Sequence, residues 1–532
     1  MGRSGLGKGR GGAGAGHRRA EACGAGRGVT VRAFTAGLLA LFAVPALAEP
    51  RFVPVELPVE HIYAGGWEHF VGGGVAVFDC SSDGLPEIVA AGGEAPATLL
   101  LNGGAMAFRP GAFPEYTHVT GAFPVDIDSD GQSDLVLTRV GENILLRGTG
   151  NCGFEPADWG FDGGTRWSTA FSATWEAGQG WPTLAFGNYV DRDNPDGPFE
   201  ACDVNHLYRP GPEGYGPVTT LEPGFCALSI LFSDWARRGQ QDLRISNDRH
   251  YYVSGGTEQM WRLDPAPRLL AEAEGFEPVS IWGMGIASRD LTGDGRPEVM
   301  LTSMGDQVLM EWNGSGYVRA PWERGATATK PHTGEDGRPS TGWHAEFGDV
   351  DNDGLADLFI AKGNVDQMPG MAMDDPNNLL MQDAEGVFHE AAAQAGVASG
   401  ARSRGAALAD LDGDGRLDLV VVNRRAPMEV YRNVTEGTGH WLAIDPLQDG
   451  TNRDAVGAWV ELRANGRTEA QERTIGGGHA GAQLMPLHFG LGAAEEAEAR
   501  VIWPDGTVGP WVQVQAGQTY RVAYPGALWS VN

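Results

Sequence analysis

Nine residues, Asp410 to Asp418 (DLDGDGRLD), constrain the fold more than any other feature, because the same pattern recurs along the chain. Aspartates at the first, third and fifth positions are followed by a glycine, and a carboxylate at the ninth opens an apolar, β-branched run. Two carboxylates about 4 Å apart repel by roughly 4 kcal/mol at an effective dielectric near 20, so a loop that gathers four of them needs a cation. Oxygen donors on a short loop with a glycine at the turn suit Ca²⁺, whereas zinc and copper prefer nitrogen and sulfur. The opening matches the D-x-D-x-D-G of an EF-hand, but position 12 is Val421 and a strand follows instead of a helix. The motif therefore reads as a strand-loop-strand calcium site, with side-chain donors at positions 1, 3, 5 and 9 and the backbone carbonyl of Arg416 at position 7.

Copies begin at Asp79, Asp126, Asn188, Asp234, Asp290, Asp349 and Asp410. Each is preceded by a small-residue apolar segment and followed by a hydrophobic strand, a third strand and an aromatic-bearing fourth. Seven units of four short strands predict an all-β, seven-bladed β-propeller. The last unit lacks a fourth strand, and Arg51–Leu57 (RFVPVEL) at the other end resembles one, which predicts that it completes the last blade and closes the ring. Complete ligand sets are Asp126, Asp128, Asp130, Asp134; Asp349, Asp351, Asp353, Asp357; and Asp410, Asp412, Asp414, Asp418. Two further sets, Asp79, Ser81, Asp83, Glu87 and Asp290, Thr292, Asp294, Glu298, substitute a hydroxyl and a glutamate and are expected to bind more weakly. In the fourth loop Arg238 replaces a ligand and is expected to act as an internal counter-charge, and the third loop is expected to hold no metal. The implied cofactor is about three to five Ca²⁺ ions.

The formal net charge of −30 argues against nucleic acid or an anionic membrane as partner. Residues 33–48 form an apolar run ending in Ala46-Leu47-Ala48, as in a cleaved signal peptide, and no later segment is long enough to span a bilayer. Residues 1–48 are thus expected to be a leader, and the product exported, to the periplasm, the extracellular space or the cell surface. Removing the leader discards Cys23 and leaves Cys80, Cys152, Cys202 and Cys226, which read as two disulfides with three possible pairings. Residues 49–435 are assigned to the propeller. Residues 436–532 read as a small β-sandwich of short alternating strands, with His440, His479 and His488 isolated in it.

The FG-GAP-type (VCBS-type) loops, the inter-blade run NNLLMQDAEGVFHEAAAQAGV, and the tail with NRDAVGAWVELRANG, LHFGLG and VIWPDGT resemble the cartilage acidic protein family and its bacterial relatives. The resemblance implies an integrin-α-like propeller joined to an ASPIC/UnbV module, secretion, calcium binding and a role in cell adhesion or interaction, and it implies no enzymatic activity.

The leading expectation is a calcium-binding scaffold whose face opposite the acidic loops recognises a protein or glycan. The residues entering the first strands, His69, His118, Trp181, Trp282, Trp343, His344, Arg402 and Arg404, are expected on that face, with Trp181, Trp282, Trp343 and His344 as ligand contacts. The alternative is a hydrolase or lyase acting on polysaccharide there, for which Glu68 and Glu346 are the available carboxylates.

Overall fold

Runs of Val, Ile, Leu and Ala bounded by Gly/Asp turns become strands here because alternate residues bury on both faces of closely stacked sheets. A computed structural model describes residues 48–531 except 198–199, 249–254 and 335, so nearly all of the expected leader, including Cys23, lies outside the described residues. Among the described residues seven sheets form the propeller, each built on four antiparallel strands, one of them gaining a fifth, parallel strand from the C-terminal part of the chain. The first comprises Val75–Phe78, Glu87–Ala90, Thr98–Asn102 and Phe108–Pro110. Its inner strand lies beside Val119–Val125, and the neighbours continue through Ser168–Thr174, Ala227–Ser233, Gly283–Arg289, Gly342–Gly348 and Arg402–Ala409 back to the first. The ring is therefore closed. Phe52–Pro54 supplies the outer strand of the last sheet, pairing antiparallel with Glu429–Asn433 in the register Phe52 to Asn433. The disulfides join Cys80 to Cys152 and Cys202 to Cys226.

The third blade corrects the sequence reading. Its inner strand is Ser168–Thr174 and Thr183–Asn188 is its second strand, so Asn188 ends a strand instead of opening a loop. The true loop is 175–182, with Trp175 at the first position and Thr183 at the ninth. Glu176 there accepts from Thr183 Oγ1 at 2.6 Å and Arg209 Nε at 2.7 Å, an arrangement satisfied without metal.

After the propeller come two more four-stranded sheets. One contains His440–Leu447, Leu487–Gly492, Gln518–Ala523 and Ala527–Val531; the other Trp459–Ala464, Arg467–Glu472, Glu496–Ile502 and Val512–Gln515. Leu442, Ile444, Val460, Leu462, Phe489, Val501 and Trp503 are buried in one cluster of this module. The module sits on the propeller face that carries the acidic loops, and Leu47–Asn532 forms one compact unit. Arg467 donates to the carbonyls of Leu291 at 2.7 Å and Gly354 at 3.2 Å. Arg237 pairs with Glu461 at 2.6 Å and lies 4.1 Å from the Trp459 ring.

Between Glu472 and Leu487 the module sends a finger down the propeller axis. Ser172 Oγ binds the Ile475 carbonyl, Gly477 N donates to Ile230 O at 2.8 Å, Gly478 pairs with Ile286, and Ala122 N donates to Ala480 O at 3.2 Å. His479 is the deepest point: it receives Gly72 N on Nε2 at 3.1 Å, faces the Met284 carbonyl through Nδ1 at 3.0 Å, and donates its own N–H to His344 Nδ1 at 3.0 Å. The chain then climbs back as Ala482–Leu484, parallel to Val75–Phe78. The small residues where the finger meets the inner face of the ring have a cause here. A Cβ on Gly74 would lie 1.6 Å from the Ala480 carbonyl oxygen, and one on Gly478 would lie 2.2 Å from the His344 ring.

Candidate metal centres

The loops share one backbone scheme. The first-position carboxylate accepts the N–H of the glycine five residues on: Gly84 to Asp79 at 2.9 Å, Gly131 to Asp126 at 3.0 Å, Gly295 to Asp290 at 3.0 Å, Gly354 to Asp349 at 2.8 Å and Gly415 to Asp410 at 2.8 Å. The ninth-position acid accepts the N–H that follows the first position: Ile127 to Asp134 at 2.8 Å, Leu291 to Glu298 at 2.7 Å, Val350 to Asp357 at 2.9 Å and Leu411 to Asp418 at 2.9 Å. The fifth position folds back on the N–H two residues later, as Asp353 does with Leu355 at 2.8 Å and Asp294 with Arg296 at 2.8 Å. The turn thus forces the acids inward, and each keeps unused lone pairs.

Three loops gather carboxylate oxygens within 4.8 Å of one another: Asp126, Asp128 and Asp134; Asp349, Asp351 and Asp353; Asp410, Asp412 and Asp418. Among the described residues the loops at Asp79 and Asp290 form no such carboxylate group. Burial pushes Asp134, Glu298 and Asp418 up to about 8, and Asp126 and Glu87 to about 7, with neighbouring carboxylates adding to the rise. Asp349 and Asp357 stand well above the ordinary range for the same reasons. Without a positive charge these groups cannot all ionise at neutral pH.

The loops differ in how that charge can be supplied. Arg147 lies 3.3 Å from Asp128 and 3.3 Å from Asp130. Arg432 lies 2.7 Å from Asp412 and 3.2 Å from Asp414, and Arg416 also pairs with Asp414. In the fourth loop Asp234 accepts Gly239 N at 2.7 Å in the shared manner, and the Arg238 guanidinium reaches Asp242 at 2.7 Å, with Arg262 on the other oxygen at 3.2 Å. Here an arginine stands in the cation's place. Among the described residues no ion pair reaches Asp349, Asp351, Asp353 or Asp357. Asp351 is 2% exposed, and neither of its carboxylate oxygens has a hydrogen-bond partner. A buried, unpartnered carboxylate is costly and fits a hard cation with oxygen ligands.

The module closes over this sixth loop. Gly439 N donates to Asp351 O at 2.9 Å, Gly492 N to Asn352 O at 2.8 Å, and Asn352 Oδ1 lies 2.7 Å from His488 Nε2. Two module acids also face the loops: Asp454 adds its field to Asp126, and Glu469 to Asp290, Asp349 and Asp353. Neither was evident in the sequence, since nothing in NRDAVG or RTEAQE indicates which propeller loop it meets.

The expected ligand face needs correction. Trp343 is fully buried and His344 is 4% exposed; the finger covers both, with the His479 ring 5.0 Å from Trp343 and the Arg404 guanidinium 3.9 Å from it on the ring face. Trp181 belongs to the 175–182 turn on the acidic-loop side and packs against Trp159 at 5.7 Å, so it does not converge with the others. Trp282 alone of the four stays half-buried at the opposite mouth, packed against the cluster of Met284, Met304 and Trp343. Glu346 is engaged by Gln483 of the finger and by Leu408 N at 3.1 Å, and Glu68 is paired with Arg192 at 2.8 Å. His479 is buried and His488 half-buried at contacts between the module and the propeller, so neither is isolated.

Repeats, loops and tail describe an all-β, propeller-like chain, two segments of which match known family models. Residues 290–360 match the family described as FG-GAP-like repeat, and residues 448–528 that described as ASPIC and UnbV. The chain is similar to cartilage acidic protein 1, being 26% identical over 252 residues to the protein of Xenopus tropicalis (45% of this chain, 36% of that one) and 25% identical over 243 residues to that of Homo sapiens (44% and 35%). The match spans about a third of those relatives' length. Among solved structures it aligns with BBS1N crystallised in complex with ARL6DN at a TM-score of 0.44 and 8% identity, covering 73% of this chain and 98% of that one.

Proposed function

We propose that this chain is an exported, calcium-binding and non-catalytic scaffold for recognising a protein or carbohydrate partner. The observation that carries the calcium reading is Asp351, whose buried carboxylate has neither a hydrogen bond nor an ion pair while the fourth loop meets the same need with Arg238. Bound Ca²⁺ would supply the positive charge that lets the loop carboxylates ionise together. The residues that would hold it are Asp126, Asp128, Asp130 and Asp134; Asp349, Asp351, Asp353 and Asp357; and Asp410, Asp412, Asp414 and Asp418. The weaker pair of loops at Asp79 and Asp290 follows. Because the module rests on these loops through Gly439, Arg467 and His488, calcium also holds the two parts together. Two disulfides support an oxidising compartment. With the finger in the channel, recognition belongs to the outer surfaces, where Trp67 is 48% exposed and Trp322 61% exposed.

Metal analysis of the purified protein, with melting followed with and without EGTA, tests this reading. The expected result is about three to five Ca²⁺ per chain and a lower melting temperature after chelation. Calcium near zero with an unchanged melt would remove the metal and the scaffold argument built on it.

A further inference from the structure

Four arginines converge at the opposite end of the strands from the acidic loops, in a chain whose formal net charge is −30. Arg402 opens the inner strand Arg402–Ala409 and Arg404 lies two residues on, while Arg424 ends the paired strand Asp418–Arg424 and Arg425 follows it. Among the described residues the ion pairs of Arg402, Arg424 and Arg425 all run to one carboxylate, Asp366, at 4.0, 3.8 and 3.0 Å, and Arg404 makes none. One carboxylate balances one guanidinium, so most of the positive charge in the cluster stays uncompensated. Two nearby acids are directed elsewhere: Glu68 pairs with Arg192 at 2.8 Å, and Glu94 accepts from Gly66 N at 2.9 Å.

The arginines form two tiers. Arg404 and Arg424 are buried and donate to backbone carbonyls: Arg404 to Phe70 at 2.9 Å and Val365 at 2.6 Å, Arg424 to His69 at 2.6 Å and Gly66 at 3.2 Å. They tie the turn at 66–70 to the loop before Asp366 and set a positive field behind the surface. Arg424 Nε is buried with no hydrogen-bond partner. Repulsion between guanidiniums adds to burial in holding Arg404 and Arg424 below the ordinary arginine range. Arg402 and Arg425 form the outer tier, their side chains 29% and 44% exposed. Both approach the same oxygen, Asp366 Oδ1, so a single carboxylate or sulfate can reach both. Arg402 is too far from Asp366 to hydrogen-bond to it, and its guanidinium makes no hydrogen bond among the described residues. Arg425 is held at φ +56°, a left-handed conformation that residues bearing a Cβ seldom adopt and that clusters at binding sites.

An aromatic surface stands beside the cluster. Trp67, in the turn whose Gly66 and His69 carbonyls Arg424 holds, is 48% exposed, with its ring edge-on to that of Trp167 at 5.5 Å. A ring of this kind packs against the apolar face of a sugar, and guanidiniums hold carboxylates and sulfates by two-point, charge-assisted hydrogen bonds. The overall charge disfavours nucleic acid and anionic membranes, whereas a short acidic sugar meets mainly the local field. We propose that Arg402 and Arg425, backed by Arg404 and Arg424 and flanked by Trp67, bind the carboxylate or sulfate group of an acidic polysaccharide. This site gives the scaffold's recognition role a place and a ligand class, and it rests on that role.

The test is calorimetric titration of the full chain, with Ca²⁺ in excess, by a uronate-containing tetrasaccharide, a sulfated tetrasaccharide, neutral chitotetraose and tetraglutamate. The wild type is expected to bind at least one of the acidic sugars, the tighter one naming the anionic group, at least about tenfold more tightly than chitotetraose or tetraglutamate and more weakly as salt rises. Arg402→Gln and Arg425→Gln, each folded by its melt, are expected to lose at least about tenfold in affinity, Trp67→Ala to weaken the sugar as well, and Arg109→Gln, at an exposed arginine on the outer strand of the first blade, to leave binding unchanged. No binding of either acidic sugar, chitotetraose or tetraglutamate binding as tightly, or any of the three site variants binding like the wild type overturns the proposal. With about three to five Ca²⁺ on the same preparation such a result removes this site and leaves the calcium-binding scaffold standing, whereas calcium near zero removes both.

Discussion

Replacing Gly74 by alanine tests whether the finger holds its place in the channel. The new Cβ would stand 1.6 Å from the Ala480 carbonyl oxygen and 2.2 Å from its carbon, both backbone atoms that cannot swing aside. An ordinary contact needs more than 3 Å, so one of the two backbones must retreat by more than an ångström. Overpacking of this kind costs about 1–3 kcal/mol when the surroundings adjust. If the finger withdraws instead, it forfeits the bonds at Ile475, Gly477, Gly478, His479 and Ala480, each worth about 1 kcal/mol net, which gives an upper bound of several kcal/mol. The matched control is Gly180→Ala, whose Cβ meets nothing within 4 Å and which is expected to stay within about 1 kcal/mol of the parent. Denaturant melts give the energy, and limited trypsin digestion gives the location, because Arg473 at the root of the finger is 3% exposed and becomes cleavable only when the finger leaves. A Gly74→Ala protein that melts like Gly180→Ala and keeps Arg473 protected would refute the reasoning.

Two further outcomes follow from the acidic loops. Ala236→Asp combined with Arg238→Asp restores a D-x-D-x-D-G loop between Asp234 and Asp242, so metal analysis should count one additional Ca²⁺ per chain; an unchanged count would mean that Arg238 is not standing in for a cation. The pH dependence of the calcium-free protein has a defined sign. Asp134, Glu298 and Asp418 sit near 8 in the fold against about 4 in the unfolded chain, so the folded state binds more protons between those values and its stability falls as pH rises through them. In EGTA the protein should melt higher at pH 5.5 than at pH 8, and excess Ca²⁺ should shrink that difference; a higher melt at pH 8 in EGTA would contradict the burial argument.

The blade plan was legible because its signal is local and repeated: an acid or hydroxyl at fixed positions, a glycine at the sixth, a hydrophobic strand behind. The closing strand was legible from arithmetic alone, one fourth strand missing at one end and one spare at the other. The third repeat was misread because WPTLAF has the composition of an inner strand, while the turn before it carries Trp175 and Thr183 where the other loops carry acids. The finger was not legible. GGGHAGA has no periodicity, and its contacts are with residues such as Ser172, 303 positions away in sequence. Trp343 and His344 were placed correctly at the start of an inner strand, yet nothing local to them reveals that another part of the chain fills the axis.

Ring closure has a consequence for the order in which the chain can be assembled. Arg51 N bonds Thr435 Oγ1 across 384 residues, so the first of the described strands waits for nearly the last of the propeller before it is paired. The residues that fill the centre are made later still. Because the finger both descends from and returns to the module on one face, it can enter as a stopper pressed into a finished ring, with no threading of a free end. A product halted after residue 435 would therefore be a closed ring with a hollow axis, its Gly72, Ala122 and Ile286 amides turned toward water in place of the partners synthesis had not yet reached.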